Sequence, residues 1–264
     1  MQAKVTITDL CGAKCTSCPQ HEVACGQTMS LDELRDTLQK LRRVTDSFFI
    51  NGVGDYLYLD NHQQYSDVLA EFYRRGDVGM SVTTNCGFVV PPRITAGVII
   101  CSFNAVTREA FDKHIGLDIG FDGVVENIRY MAKEHGVVEI HSLAHAGNLS
   151  PEADLLRLFG DLNVRIRVSY KVENQMRSSV SAPRVPCTYL ENKLCVYPGG
   201  WIRQCNHDFR EEELIGHVDE LDETIAELKR RHGRQHAGFY TDGICANCNF
   251  NVASGFAGEV KYIK

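Results

Sequence analysis

Three cysteines close to the start of the chain are the residues best suited to chemistry. Cys11, Cys15 and Cys18 form a C-x3-C-x2-C run, CGAKCTSC, directly after the strand-like stretch KVTITDL. Three thiolates on one loop can bind three irons of a [4Fe–4S] cube and leave the fourth iron open. Because a small molecule can chelate an open iron, this loop predicts a reactive centre rather than a purely structural one.

The same run has two other interpretations, a zinc knuckle and a set of buried structural thiols. Zinc sites favour C-x2-C pairs or combinations of cysteine and histidine, so the three-and-two spacing is unusual for zinc. The run resembles instead the cysteine loop of the radical S-adenosylmethionine (SAM) superfamily. That resemblance implies that SAM binds the open iron and that the reduced cluster cleaves SAM to a 5′-deoxyadenosyl radical.

The composition is that of an ordinary globular protein. Of the 264 residues, 44% are hydrophobic and 23% are charged, and the net charge is −6. The 28 basic residues are scattered, so we expect no nucleic-acid partner. The N-terminus lacks the features of a signal peptide, and no apolar run reaches the ~18 residues of a membrane span. Eleven cysteines without a secretory signal indicate a reducing compartment, so we expect a cytoplasmic protein with no membrane partner.

Apolar runs of strand length alternate with helical patterns through about residue 172. They predict strands at Val5–Leu10, Phe48–Asn51, Val78–Thr84, Val98–Phe103, Val137–Leu143 and Val164–Val172. Ser30 and Glu33 predict a capping box at the start of the first helix. Later helices are expected to end near Gly76 and Gly136. A fourth should follow Pro151, with inward-facing Leu155, Leu156, Leu158 and Phe159.

Six alternating strands and helices predict an α/β fold with a parallel sheet and outer helices. The pattern alone allows either an open sheet or a partial barrel, whereas the radical SAM resemblance implies a partial (β/α)6 barrel. In such folds the reactive residues lie at the carboxyl ends of the strands.

Polar segments at these predicted strand ends resemble the SAM-binding segments of the superfamily. NGVGD, with Gly52, Gly54 and Asp55, resembles the GGE-type segment for SAM's amino group, although Val53 separates the glycines and Asp55 replaces the usual Glu. The resemblance also implies SAM contacts from the residues Ser17, Thr84, Ser102 and Asn104, and Tyr170 at the end of the sixth predicted strand is a further candidate for cofactor binding. His141, His145, Lys171 and Glu173 are further candidates for substrate contact. For each of these segments, an ordinary turn or a solvated strand end is the alternative.

A second cysteine set follows a shift in composition near residue 183. Its members are Cys187, Cys205, Cys245 and Cys248, and four thiolates can hold either zinc or a [4Fe–4S] cluster. Two strand-like runs, Leu190–Tyr197 and Trp201–Cys205, surround Pro198-Gly199-Gly200 and predict a β-hairpin. Ile215–Val218 then leads into a helix.

The order of hairpin, helix and C-x2-C pair resembles the twitch domain, a short form of the SPASM extension of radical SAM enzymes. That resemblance implies one auxiliary [4Fe–4S] cluster. We therefore expect a barrel over residues 1–175 and an auxiliary-cluster domain over residues 176–264.

The resulting hypothesis is a radical SAM oxidoreductase that acts on a small polar metabolite. It resembles the small twitch dehydrogenases, which oxidise a hydroxyl of an aminocyclitol or sugar, and a reductase or flavodoxin-type protein would supply electrons. The alternatives are a maturase of ribosomally made peptides, an epimerase with Cys25 or Cys101 as hydrogen donor, and a non-catalytic iron–sulfur or zinc protein. Cys86, Cys101 and Cys195 are expected to be buried core or lining thiols.

Overall fold

A ten-stranded sheet organises the computed structural model, which describes residues 1–16, 18, 20, 24–51, 53–144, 150–170, 186–205, 214–238 and 260–264. The strands are β1 Gln2–Val5, β2 Ser47–Ile50, β3 Gly79–Thr84, β4 Val98–Ser102, β5 Val138–Ala144, β6 Arg165–Tyr170, β7 Lys193–Val196, β8 Trp201–Arg203, β9 Leu214–His217 and β10 Val260–Tyr262. The helices are α1 Leu31–Leu41, α2 His62–Arg74, α3 Arg108–His114, α4 Gly120–Glu134, α5 Glu152–Phe159, α6 Thr188–Asn192 and α7 Leu221–His236.

The strand order across the sheet is β10-β6-β5-β4-β3-β2-β1-β7-β8-β9. Strands β1 to β6 are parallel neighbours in sequence order, and β7 joins the other side of β1, also parallel. The chain then turns back through the antiparallel strands β8 and β9, while β10 pairs antiparallel with β6. The predicted α/β class with a mainly parallel sheet is therefore confirmed, and the carboxyl ends of β1 to β6 lie at one edge.

The longer helices bury apolar residues that repeat at helical spacing. In α1 the predicted capping box is present, since the Ser30 side chain accepts from the Glu33 N–H at 3.1 Å and the Glu33 carboxylate accepts from the Ser30 N–H at 3.3 Å. Leu34, Leu38 and Leu41 on this helix are fully buried. They pack with strand residues of alternate positions into a single core cluster.

The first strand lies earlier than the sequence indicates, at Gln2–Val5 rather than Val5–Leu10. After Thr6 the chain leaves the ladder and pairs with a later segment, as the Thr8–Thr28 bridge shows. The Asp9 N–H donates to the Gln27 carbonyl at 3.1 Å. The apolar alternation therefore continues beyond the strand because its residues are buried against this second segment.

Two further predictions about elements were wrong in part. Leu190 belongs to helix α6, and the strand begins only at Lys193, which is the residue that pairs with the first residue of β1, Gln2. Leu156 in α5 is 42% exposed, whereas Leu155 and Phe159 are buried. The two buried residues are four apart and share a helix face, which Leu156 does not.

The remaining predicted elements agree with the structure to within a few residues. The hairpin of β7 and β8 turns at Pro198–Gly200 as expected. Strands β9 and β10 and helices α3 and α6 were not predicted. Within the described ranges, no helix has both the length and the apolar character that a membrane span requires.

Candidate functional site

A cavity of about 270 Å³ opens at the carboxyl ends of β1 to β4. The predicted cysteine loop and the polar ends of β2, β3 and β4, which lie far apart in the sequence, meet at this cavity. Its lining includes Cys11, Ala13, Cys15, Cys18, Gln20, Asn51, Val53, Gly54, Asp55, Thr83, Thr84, Asn85, Ser102, Phe103, Asn104, Phe111 and Ile115. All three cysteines of the N-terminal run therefore face one cavity.

The C-terminal end of helix α3 holds the cysteine loop in place. The Lys14 N–H donates to the Ile115 carbonyl and the Thr16 N–H donates to the His114 carbonyl, both at 2.9 Å. Within the loop, the Cys18 N–H donates to the Cys15 carbonyl at 3.0 Å. Lys14 and Thr16 of the loop are therefore fixed to the end of a helix that was not predicted from the sequence.

A capping signal could have revealed that helix. Thr107 precedes α3 and its side chain accepts from the Ala110 N–H at 3.2 Å. Threonine is among the residues preferred at helix N-termini. The threonine of the sequence TREAF therefore indicated the start of helix α3.

The thiols of the N-terminal run are partly buried. Burial, and secondarily the neighbouring Asp55 carboxylate, raises the pKa of Cys11 to about 12. Burial likewise raises the pKa of Cys15 to about 11 and that of Cys18 above its ordinary value. No positively charged side chain is among the causes of these three pKa shifts. A bound cation would therefore be needed to stabilise the thiolate forms.

Asp55 is buried beside the cavity and accepts hydrogen bonds from four groups. Its Oδ1 accepts from the Leu57 N–H at 3.1 Å and from the Asn51 amide at 3.3 Å. Its Oδ2 accepts from the Thr84 hydroxyl and the Asn85 N–H, both at 2.8 Å. Burial raises the pKa of Asp55 to about 6, and these hydrogen bonds oppose that shift. Asp55 therefore ties the end of β2 to the end of β3.

Thr84 and Asn85 extend this network to the cysteine loop. The Thr84 hydroxyl accepts from the Cys86 N–H at 2.9 Å while it donates to Asp55. The Asn85 side-chain oxygen accepts from the Gly87 N–H at 2.8 Å, which orients the amide so that its NH2 group donates to the Cys11 sulfur at 3.2 Å. Asn85 is not among the residues predicted to contact SAM, and its contact with the cysteine depends on the fold.

Two buried oxygens at the cavity have no hydrogen-bond partner among the described residues. They are Oδ1 of Asn51 and Oγ1 of Thr83. The Asn51 amide nitrogen is already engaged, since it donates to the Thr83 carbonyl at 2.7 Å. A buried acceptor without a donor is costly, so Asn51 Oδ1 marks a place where a ligand N–H would be stabilised.

Gly54 is required by the close approach of two backbone segments. Its φ is +67°, and a Cβ at this position would lie 2.2 Å from the Thr8 carbonyl oxygen and 2.7 Å from that of Leu10. The segment 53–55 therefore packs directly on the chain that leads into the cysteine loop, and the Asp55 N–H donates to the Leu10 carbonyl at 2.8 Å. A glycine without a side chain is the residue that permits this contact.

The other predicted SAM-contact residues fall into three groups. Ser102 and Asn104 line the cavity, and Asn104 Oδ1 accepts from the Leu143 N–H at 2.9 Å. Tyr170 ends β6, and the structure describes its backbone position alone. Ser17 and Gly52, together with the substrate candidates His145, Lys171 and Glu173, lie outside the described residues.

The second cysteine set is described in part. Cys187 is buried and its N–H donates to the Gln235 side-chain oxygen at 2.8 Å, which links it to helix α7. Cys205 follows β8 and is partly exposed. Cys245 and Cys248 lie outside the described residues.

Lys4 is a buried cation next to this set. Its ammonium lies 4.9 Å from the centroid of the Phe49 ring. Burial lowers the pKa of Lys4, and its interactions with Cys195 and Cys205 oppose that effect. The residues around Cys205 therefore include a positive charge.

The described part of the chain contains no disulfide among its nine cysteines. Cys86, Cys101 and Cys195 are buried, as the sequence predicts, whereas Cys25 is exposed. Burial, and secondarily the hydrogen bond to Cys101, raises the pKa of Cys86 well above its ordinary value. Neither Cys86 nor Cys101 lines the cavity of about 270 Å³.

A second cavity, of about 410 Å³, lies between the loop at Gln27 and the hairpin turn. Its lining includes Pro198, Trp201, Arg203 and Leu214 and none of the predicted SAM-contact residues. The smaller cavity is lined by the three cysteines of the N-terminal run and by Asp55, so we take the smaller cavity as the candidate active site.

No protein-family model and no curated protein matches the sequence. Solved structures do match the fold. SuiB of Streptococcus suis, bound to its precursor peptide SuiA, aligns over 94% of this chain and 69% of its own, with 10% identity and a TM-score of 0.61. BtrN, solved in an open conformation, aligns over 97% and 95%, with 17% identity and a TM-score of 0.54. The structure of anSMEcpe with bound AdoMet aligns over 89% and 83%, with 12% identity and a TM-score of 0.60.

These structures are those of radical SAM enzymes. The chain shares the fold of these structures. At identities of 10–17% the likeness concerns the fold, and function has to be argued from the site.

The donor set at the cavity fits the cluster that the radical SAM fold implies. A [4Fe–4S] cube bonds each cysteine through a different iron, so its three thiols need not converge on a point as they would around a single ion. Among the described residues, no group of three His, Cys, Asp or Glu side chains is arranged to hold one metal ion. Three partly buried thiols around one cavity, with an amide N–H on the Cys11 sulfur, suit such a cube.

Proposed function

We propose that this protein is a radical SAM oxidoreductase that oxidises a hydroxyl group of a small polar metabolite. The observation that carries the proposal is the convergence of Cys11, Cys15 and Cys18 with the polar ends of β2, β3 and β4 on one cavity. When bound, the N-terminal cluster with SAM would supply a 5′-deoxyadenosyl radical, and an auxiliary cluster would accept an electron from the substrate.

The chain's own residues would have distinct roles in this reaction. Cys11, Cys15 and Cys18 would hold the first cluster, and Asn85 would donate a hydrogen bond to it. Asn51 would accept from SAM, while Asp55 and Thr84 would hold these segments in place rather than bind SAM directly, because their polar atoms are engaged by the protein.

Ser102 and Asn104 would contact the SAM ribose or carboxylate from β4. Gly52 and Ser17 remain proposed contacts by resemblance, and Tyr170 remains one by its position at the end of β6. The proposal also keeps the closure of β1–β6 into a partial barrel and the division of the chain into residues 1–175 and 176–264.

The auxiliary cluster would be held by Cys187, Cys205, Cys245 and Cys248. The β7–β8 hairpin supports this part of the proposal, because it joins β1 on one side and the strand leading into α7 on the other. His217 fixes that arrangement through a hydrogen bond between its Nε2 and the Gly199 carbonyl at 2.6 Å. Full ligation by four cysteines would leave electron transfer, rather than substrate binding, as the task of this cluster.

The likeness of the fold to that of BtrN supports a dehydrogenase of the BtrN kind. The alignment includes 95% of BtrN, which has also been solved in complex with AdoMet and 2-DOIA. A peptide maturase is the second candidate, because SuiB was solved with a precursor peptide. The aligned region is 69% of SuiB. In either case a reductase or flavodoxin-type protein would supply the electrons.

Metal analysis tests the two-cluster proposal. Anaerobic reconstitution should give about eight irons and about eight sulfides per chain, four of each per cube. Replacing Cys11, Cys15 and Cys18 together by Ala should halve both contents and abolish reductive SAM cleavage. Cys25→Ala, which changes an exposed cysteine outside both sets, should leave the contents unchanged. Stoichiometric zinc with only four irons would show that the second set is a zinc site.

Removal of the auxiliary cluster tests the oxidation itself. Cys245→Ala with Cys248→Ala should leave 5′-deoxyadenosine formation measurable and stop formation of oxidised product. Circular dichroism must first establish that this variant is folded, because loss of a cluster can destabilise a small extension. A folded variant that oxidises substrate at the normal rate would refute the dehydrogenase proposal.

A further inference from the structure

A histidine and a carboxylate form a pair on β5 that the site described above does not use. Glu139 and His141 are two residues apart, so their side chains point to the same face of the strand. His141 Nε2 and Glu139 Oε1 are hydrogen-bonded. Their side chains are 28% and 11% exposed. Ile140 and Ser142, which alternate with them, are buried on the opposite face.

The pair lies on the same face of the sheet as two residues that line the cavity, Ser102 and Thr83. Ser102, which lines the cavity, pairs directly with His141 across the β4–β5 ladder. Thr83, another lining residue, is on this face as well, because it pairs with Ile100 two residues before Ser102. Directly paired residues project side by side from one face. His141 is therefore one strand beyond the cavity wall.

Arg167 completes the cluster from the next strand. It pairs with His141 across the β5–β6 ladder, and its Nε is buried without a hydrogen-bond partner in the part of the chain that the structure describes. A guanidinium N–H without an acceptor can bind a substrate oxygen. The three side chains from two strands thus present an acceptor, a donor and a carboxylate.

The charges around His141 favour a neutral ring with one available lone pair. Burial lowers the pKa of His141, Glu139 opposes this effect through its hydrogen bond and its charge, and Arg167 adds to the lowering. Since Nε2 faces the carboxylate, the neutral ring carries its proton on Nε2 and donates it to Glu139. Nδ1 then keeps the lone pair, as in other histidine bases oriented by a carboxylate.

We propose that Glu139, His141 and Arg167 form the substrate-contacting wall of this enzyme, with His141 Nδ1 as the acceptor of the substrate's hydroxyl proton. This inference rests on the proposed oxidation. The carbon–hydrogen bond is broken by transfer of a hydrogen atom to the deoxyadenosyl radical, and the O–H proton passes to His141. The remaining electron goes to an oxidised iron–sulfur cluster, so that the C–O bond becomes C=O. Glu139 stabilises the imidazolium, and Arg167 binds a second oxygen of the substrate.

Variants of the reconstituted enzyme test the role of His141. The probes are a panel of inositols and aminocyclitols, with 5′-deoxyadenosine and oxidised product measured separately by mass spectrometry. His141→Phe should retain 5′-deoxyadenosine formation but lose oxidised product about 100-fold, as expected for loss of a general base. Glu139→Gln should lose less, because it keeps a hydrogen-bond acceptor. Ser142→Ala, on the opposite face of the same strand, is the matched control and should match the wild type.

Chemical labelling provides a readout that does not depend on turnover. Diethyl pyrocarbonate modifies a neutral imidazole through its lone pair, so His141 should be labelled at pH 6 to 7, and a panel member that is oxidised should slow that labelling. An unlabelled His141, or a His141→Phe enzyme that oxidises at the normal rate, would overturn the inference. Absence of oxidised product from the wild type would instead refute the proposed function. In that case labelling of His141 that a panel member slows would still support the site, and labelling that none of them slows would overturn it.

Discussion

The Asn85 side-chain amide donates a hydrogen bond to the sulfur of Cys11, with 3.2 Å between nitrogen and sulfur. The two residues are 74 positions apart, and the amide is oriented by the Gly87 N–H and by the attachment of its own backbone to Asp55. An N–H donor on a cysteine sulfur stabilises the more negative, reduced state of a cluster and so raises its reduction potential.

Loss of that donor should lower the potential of the N-terminal cluster. Asn85→Asp keeps the acceptor for the Gly87 N–H but has no N–H for Cys11, and its negative charge acts in the same direction. A hydrogen bond of about 1 kcal/mol corresponds to a shift of about 40 mV for a one-electron couple. Redox titration followed by electron paramagnetic resonance measures the change.

The control for this experiment is Asn127→Ala. The Asn127 amide donates to the carbonyls of Cys86 and Phe88, both at 2.8 Å. Its removal should therefore loosen the turn that follows Asn85 without removing the hydrogen bond to the Cys11 sulfur. A shift in Asn127→Ala as large as that in Asn85→Asp would mean that loop order, and not the N–H···S bond, sets the potential.

Gly54→Ala should destabilise the protein far more than the same change at Gly120. Both glycines have positive φ, +67° and +70°, but a Cβ at Gly120 would meet no atom within 4 Å. We expect the unfolding free energy to fall by about 1 kcal/mol for Gly120→Ala, the cost of the backbone conformation alone. For Gly54→Ala we expect a loss of more than ~3 kcal/mol, because backbone atoms must also move.

Chemical denaturation followed by circular dichroism measures both losses. Gly54→Ala should in addition reduce the iron content, because segment 53–55 packs on the chain leading into the cysteine loop. Equal losses of stability in the two variants would show that the close approach at Gly54 is relaxed easily.

Asn51 offers a direct test of SAM binding. Asn51→Gly removes the unpartnered oxygen, and glycine tolerates the φ of +70° at this position. We expect this variant to bind SAM about tenfold more weakly, which corresponds to loss of about 1.4 kcal/mol, the scale of a hydrogen bond to a charged group. Asn51→Asp keeps an oxygen acceptor and should retain the affinity to within about threefold.

Equilibrium dialysis of SAM against the oxidised enzyme, which does not cleave SAM, measures these affinities. Both variants lose the Asn51 amide bonds to Thr83 and Asp55, so the difference between them isolates the acceptor. Equal affinities would exclude Asn51 Oδ1 as a SAM contact.

The sequence by itself determined the features that depend on local spacing. The cysteine run, the capping box at Ser30 and Glu33 and the alternation of strands and helices each involve residues within a few positions of one another. Local spacing sets backbone conformation and the face on which a side chain lies, so these predictions needed no knowledge of the fold. The predicted α/β class follows from the same alternation.

Only the tertiary structure decided which distant residues meet. The contact of Asn85 with Cys11, the hold of α3 on the cysteine loop and the alignment of Arg167 with His141 all depend on how parallel strands are registered. A shift of one residue in that register would turn every side chain of a strand to the other face. The apolar pattern KVTITDL could not locate the end of β1 for a similar reason, because burial against the Gln27–Met29 segment produces the same alternation as pairing within the sheet.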